Sequence, residues 1–205
     1  ISLEAEADFS KDTRPRPDSN APRLWKEEIY DGVYMNRRLF WNPKWLAEVF
    51  VVQADRPHQI DWVMHFNGQA CKTPETAAVS PFSQNPPFCF LEKMRPLAAS
   101  QELINTYQTQ DIYTTIYTSQ QNHHLYQGLG PGNPSDEKIT YLIERTSGKQ
   151  AIFCHLIEIR KDAPTIENVK FDLTGKDATI RIKEKQKTIL LQMKDQLPIQ
   201  ITELN

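Results

Sequence analysis

Nowhere in the 205 residues is there an apolar run approaching the ~20 residues that a membrane-spanning helix needs. A basic, apolar, small-residue leader is also missing at the N-terminus. Neither charge dominates: 24 Lys and Arg stand against 26 Asp and Glu, which argues against a general nucleic-acid binder with its concentrated basic field. Cysteine is scarce, at three residues with no C-x-x-C spacing. Cys154, inside the apolar run AIFCHLIEI, is expected to be a buried thiol. Cys71 and Cys89 could pair in an oxidising compartment, but their spacing does not establish it. Glycine numbers only seven. Its one dense stretch, Gly128-Leu129-Gly130-Pro131-Gly132, lacks the Lys-Ser/Thr of a phosphate loop and reads as a sharp turn between strands. The nucleophile elbow G-x-S-x-G is absent too.

What the chain does have is aromatic and β-branched character, with 4 Trp, 7 Tyr and 9 Phe. That content excludes a disordered composition, and a chain of this length can bury a core without disulfide or metal staples. It opens at Ile1 in ISLEAEAD, already alternating, so it is expected to be a piece of a longer protein cut close to or inside a strand.

Period-two alternation is the strongest signal. From His58 to Phe66 one face carries Ile60, Trp62, Met64 and Phe66, the other Gln59, Asp61, Val63 and His65, as a half-buried strand requires. Val33–Trp41 and Trp45–Gln53 are two further runs, separated by Asn42-Pro43-Lys44, and Pro43 has no N–H to donate to a central strand. With Ala54-Asp55-Arg56-Pro57 as the next turn, these three strands are expected to form an antiparallel meander. Ile112–Ser119 is a fourth strand rich in Thr, Tyr and Ile. Ile139–Arg145 and Ala151–Ile159 flank Thr146-Ser147-Gly148-Lys149 and read as a hairpin. Ala178–Lys183 and Thr188–Met193 form another, before a last strand Ile199–Thr202. Only LAASQELINTYQ competes as a helical turn. The expected fold is an all-β antiparallel sandwich of about ten to twelve strands over residues 23–205, with residues 1–22 an extended arm or strand remnant. Phe9–Pro22 and Gly68–Pro87 are the long irregular regions.

No complete catalytic constellation is legible. His123 and His124 point to opposite faces if extended, and no Cys or His within twenty residues completes a zinc set, so a surface or loop-packing role is expected. Asp61 and His65 lie about 13 Å apart along one strand face and cannot pair directly. His65, with Asn67 beside it at a strand end, is either substrate-facing or part of a polar outer face. Arg37 and Arg38 place one guanidinium on each face, for surface salt bridges or an acidic partner. His155 reads as a core histidine, and Trp62 as core rather than as part of a sugar-stacking platform with Tyr34, Trp41 and Trp45.

The segment YDGVYMNRRLFWNPKWLAEVFVVQADRPHQIDWVMHFN resembles the C-terminal β-domain of the heparinase II/III-like polysaccharide lyases, which include oligo-alginate lyases. The matching residues are Arg38, Trp45, Leu46, Asp55, His58, Asp61, Trp62 and His65, and the likeness extends over about residues 24 to 172. It implies layered antiparallel sheets that follow an N-terminal α/α-toroid domain, with an acidic polysaccharide bound between the two. It implies cleavage by β-elimination and a periplasmic or secreted location; from the residues themselves no nucleic acid, no membrane span and no cofactor are expected. The family's histidine-rich and H-N-T segments are not in this sequence, so no catalytic residue and no zinc ligand carries over. The candidate substrate- or domain-facing residues are His65, Asn67, Arg38, His123 and His124. The competing reading is a stand-alone carbohydrate-binding or structural interaction module.

Overall fold

A computed structural model describes residues 1–8, 32–71, 76–79, 82–84, 88–97, 103–119 and 123–204. The Phe9–Pro22 region and residues 98–102 of the possible helical turn lie outside the described residues. Thirteen strands account for most of the described structure: β1 (Ser2–Asp8), β2 (Val33–Trp41), β3 (Trp45–Phe66), β4 (Gln69–Ala70), β5 (Glu92–Pro96), β6 (Leu103–Thr109), β7 (Ile112–Thr118), β8 (His124–Pro131), β9 (Lys138–Arg160), β10 (Ile166–Thr174), β11 (Asp177–Glu184), β12 (Thr188–Met193) and β13 (Gln200–Leu204). They form a nine-stranded and a four-stranded sheet, every pairing antiparallel, so the all-β sandwich class holds.

Two strands carry the architecture. β3 and β9 pair along almost their whole lengths, Trp45↔Glu158 through Gln53↔Gln150 and then His58↔Gly148 through Phe66↔Thr140. Between these stretches four residues of β3, Ala54 to Pro57, oppose Lys149 alone. This is a large bulge, and it is where a proline is tolerated inside a sheet. The expected hairpin of Val33–Trp41 with Trp45–Gln53 forms, but the third strand of the meander and the expected Ile139–Ile159 hairpin are corrected. Ala54–Pro57 and Thr146–Lys149 do not reverse single chains; the two paired strands pass through the irregularity together.

The ribbon folds over at that point. Glu48 and Trp62 are fourteen residues apart, about 46 Å along a straight strand, yet the Trp62 Nε1 lies 3.3 Å from the Glu48 carboxylate. The halves of the large sheet thus face each other. Val52, Ile60, Trp62, Tyr107, Ile116, Leu125, Leu142, Phe153 and Ile157 fill the space between them. β1, β2 and β7 flank the half nearest the small sheet, and β8 with β5 flanks the other. Gly128 and Gly130, expected in a turn, lie inside β8 instead. A Cβ at Gly128 would come within 2.3 Å of the Met94 Sδ and 2.8 Å of the Glu92 carbonyl oxygen, so the glycine lets β5 approach.

The second core lies on the opposite face of β3 and β9. Ala47, Val49, Val51, Cys154 and Leu156 pack there against Ile180, Ile182, Leu191 and Met193 of the small sheet. Alternation along β3 assigns odd-numbered residues from Trp45 to Val51 to this face and Leu46, Glu48, Phe50 and Val52 to the other.

Candidate functional site

The fold-over brings together side chains that the linear sequence keeps far apart. Glu48 stands opposite His155 in the β3–β9 register, and Trp62 stands opposite Glu144. Bending the ribbon places these two cross-strand pairs against each other. The Glu144 carboxylate then bonds two imidazoles, His155 through Nε2 at 2.7 Å and His123 through Nδ1 at 2.5 Å. The His155 ring stacks on the Trp62 indole with centroids 3.8 Å apart, and its Nδ1 lies 3.9 Å from the Glu48 carboxylate. Glu48 accepts from Trp62 Nε1 and from the Arg37 Nε at 2.5 Å. The result is a chain of groups, Arg37–Glu48–His155–Glu144–His123, crossing the space between the two halves.

Nearly all of it is buried. Glu48 and Glu144 are each 1% exposed and His155 is fully enclosed. Buried carboxylates must be paired, and here every carboxylate has a cationic or N–H partner. Burial on its own would raise the Glu144 pKa; the hydrogen bonds from His123 and His155, with their charge, outweigh it and hold the carboxyl below its ordinary value. The Cys154 thiol, on the opposite face, is pushed well up by burial and then by the Glu144 and Glu48 carboxylates. It is an inert core group, as expected. Burial also pushes up the phenols of Tyr107 and Tyr117, Tyr117 additionally through Glu158, so neither is set to release a proton near neutrality.

Of the sequence candidates, only His123 belongs to this network. His124 begins β8 and is exposed. His65 is exposed at the far end of β3, stacked on Tyr141 at 5.2 Å. Asn67 lines a shallow polar depression of about 430 Å³ with Gln69, Ala70, Cys71, Gln108, Thr109 and Gln110, and its carbonyl accepts from the Thr109 hydroxyl. That depression contains no imidazole or carboxylate. Asp61 is held bidentately by Arg145 at 2.7 and 2.8 Å.

Arg38 is corrected outright. It is 1% exposed and crosses the inter-sheet core to donate to the Met193 carbonyl at 2.8 Å and to the Lys176 carbonyl, joining β2 to the small sheet. It is Arg37 that faces outward, its side chain half exposed. Cys71 and Cys89 are free and exposed.

Sequence reasoning missed Glu48 and Glu144. Their signal was a lone acid inside an otherwise apolar strand, WLAEVFVV and ITYLIER. His123 and His155 are 32 residues apart in the sequence and meet only through Glu144, across the bend. Among the described residues no group of three His, Cys, Asp or Glu is placed to hold a metal ion. The two imidazoles bind opposite oxygens of one carboxylate rather than converging on a common point. No protein-family model and no curated protein matches this chain.

Proposed function

We propose that this chain is the C-terminal β-sandwich portion of a heparinase II/III-like lyase that cleaves an acidic, uronate-containing polysaccharide by β-elimination. The observation that carries the reading is the HQIDWVMH segment, His58 to His65, with its companions on one strand pair. Four of the matching residues have tasks in this sheet: Trp62 fills the fold and bonds Glu48, Asp61 anchors Arg145, and Trp45 and Arg38 tie β3 and β2 to the small sheet. A sequence pattern with those tasks belongs to an architecture, which is what the resemblance implies.

In the reaction a base takes the C5 proton of a uronate, the developing charge on its carboxylate is neutralised, the C4–O bond breaks, and the departing oxygen receives a proton. These groups must be held together within hydrogen-bond reach. His65 with Asn67 offers one imidazole and one amide, and His123 and His155 are committed to Glu144. The chain therefore contributes a rigid wall, and an N-terminal α/α-toroid domain of the same protein contributes the acid and base. The test follows the unsaturated uronate by its ultraviolet absorbance on heparan sulfate, chondroitin, hyaluronan and alginate. The isolated chain should give no product, and adding the toroid should restore turnover. Turnover by the chain alone, abolished by His65→Ala, would contradict the reading and make His65 catalytic.

A further inference from the structure

We propose that Arg37 and Trp41 of β2 form a subsite for a uronate-bearing oligosaccharide, an inference that rests on the lyase reading and deepens it. Residues 37, 39 and 41 alternate onto the same face of β2 as Glu48 and Phe50 of β3. Arg37 stands opposite Phe50 and Trp41 opposite Leu46. On the other side β1 sets Ala5 against Arg37 and Leu3 against Leu39.

The guanidinium is fixed in place before any ligand arrives. Its Nε donates to Glu48 at 2.5 Å, and its central carbon lies 5.8 Å from the Phe50 ring centroid. The Glu48 side chain is 2% exposed whereas that of Arg37 is 50% exposed, so the anchor is buried and the fork is not. Among the described residues no acceptor is bonded to either terminal nitrogen. Those two nitrogens form the planar pair that matches a carboxylate bidentately, and an arginine held through Nε loses little freedom on binding. Ala5, the cross-strand neighbour on the open side, is too small to cover it.

Trp41 supplies the second half. It is 51% exposed, and its ring offers a flat apolar surface on which the C–H face of a pyranose can lie. Four residues along a strand separate the two groups by about 13 Å. One sugar ring does not span that distance, so the ligand is an oligomer with a carboxylate at one position and an apolar ring face at another. Among the described residues Glu48 is the one carboxylate bonded to Arg37, and it is already satisfied, which leaves the fork to an external anion.

The experiment is a calorimetric titration of this 205-residue chain with alginate oligosaccharides and with size-matched neutral glucose oligosaccharides. The oligouronates should bind saturably and the neutral sugars should not. Arg37→Gln and Trp41→Ala should each weaken binding about tenfold or more, the scale of a lost charged hydrogen bond, with Arg37→Lys intermediate because it keeps the charge and loses the fork. Arg37→Gln also leaves Glu48 short of a partner, so Trp41→Ala, at an exposed position, is the variant that must keep the wild-type melting temperature. Equal affinity in wild type, Arg37→Gln and Trp41→Ala would overturn the subsite, as would equal binding of neutral sugars or no binding by the wild type. Unsaturated product from the full-length protein that is indifferent to Arg37→Gln would overturn the subsite alone and leave the lyase reading standing.

Discussion

Trp62 shows how much one side chain can carry in a folded-over sheet. Its indole fills the space between the halves, covers His155 and donates to Glu48. Trp62→Ala should cost about 3–5 kcal/mol in urea unfolding. A stability unchanged by that substitution would place the strand in the wrong register. Glu144 gives the pH dependence. Its folded-state pKa lies below the ordinary 4.5. Its contribution to stability is therefore complete above that value and is lost as pH falls through the lower folded value. The melting temperature should drop as the pH falls below 4.5 and through the lower folded value, and Glu144→Gln should remove part of that drop while lowering stability at neutral pH. The groups facing Glu144 are His123 and His155, with Glu48 beyond His155. An acid dependence identical in wild type and Glu144→Gln would contradict the assignment.

At the scale of elements, β8 makes the clearest forecast. A methyl group at Gly128 would meet the Met94 side chain and the β5 backbone. Gly128→Ala should therefore destabilise by about 1–3 kcal/mol, the range for overpacking a filled site, and a melting temperature equal to wild type would show that β5 yields freely. The same strand marks where sequence reading stops. Sequence pattern is local, so it identified Val33–Trp41 and Trp45–Gln53 as strands and the two faces of His58–Phe66, and it put Trp62 inside. Pairing is not local. Pro57 and Gly148 look alike whether they end a strand or bulge it, because both cases need the same backbone freedom or the same missing N–H. That ambiguity turned two long strands into a meander and a hairpin. The buried network was invisible for a related reason: its members meet only once the ribbon has folded, and Arg37 and Arg38 could not be told apart until the small sheet had a position.

For the whole molecule, the nine-stranded sheet doubled on itself and backed by four strands is a rigid platform, with its polar network inside and the Arg37 fork outside. Its stability should not depend on metal. Zinc should not raise the melting temperature and a chelator should not lower it, since the imidazoles near each other share a carboxylate rather than a coordination point; a chelator-sensitive transition would contradict this. In the proposed function the platform is one wall of a uronate lyase cleft. The most direct measurement expresses the full-length product of the gene that encodes this chain and follows ultraviolet absorbance on alginate, hyaluronan, chondroitin and heparan sulfate. The unsaturated-uronate signal should grow on at least one of them, and residues 1–205 alone should give none. No signal on any of the four from the full-length protein would contradict that function.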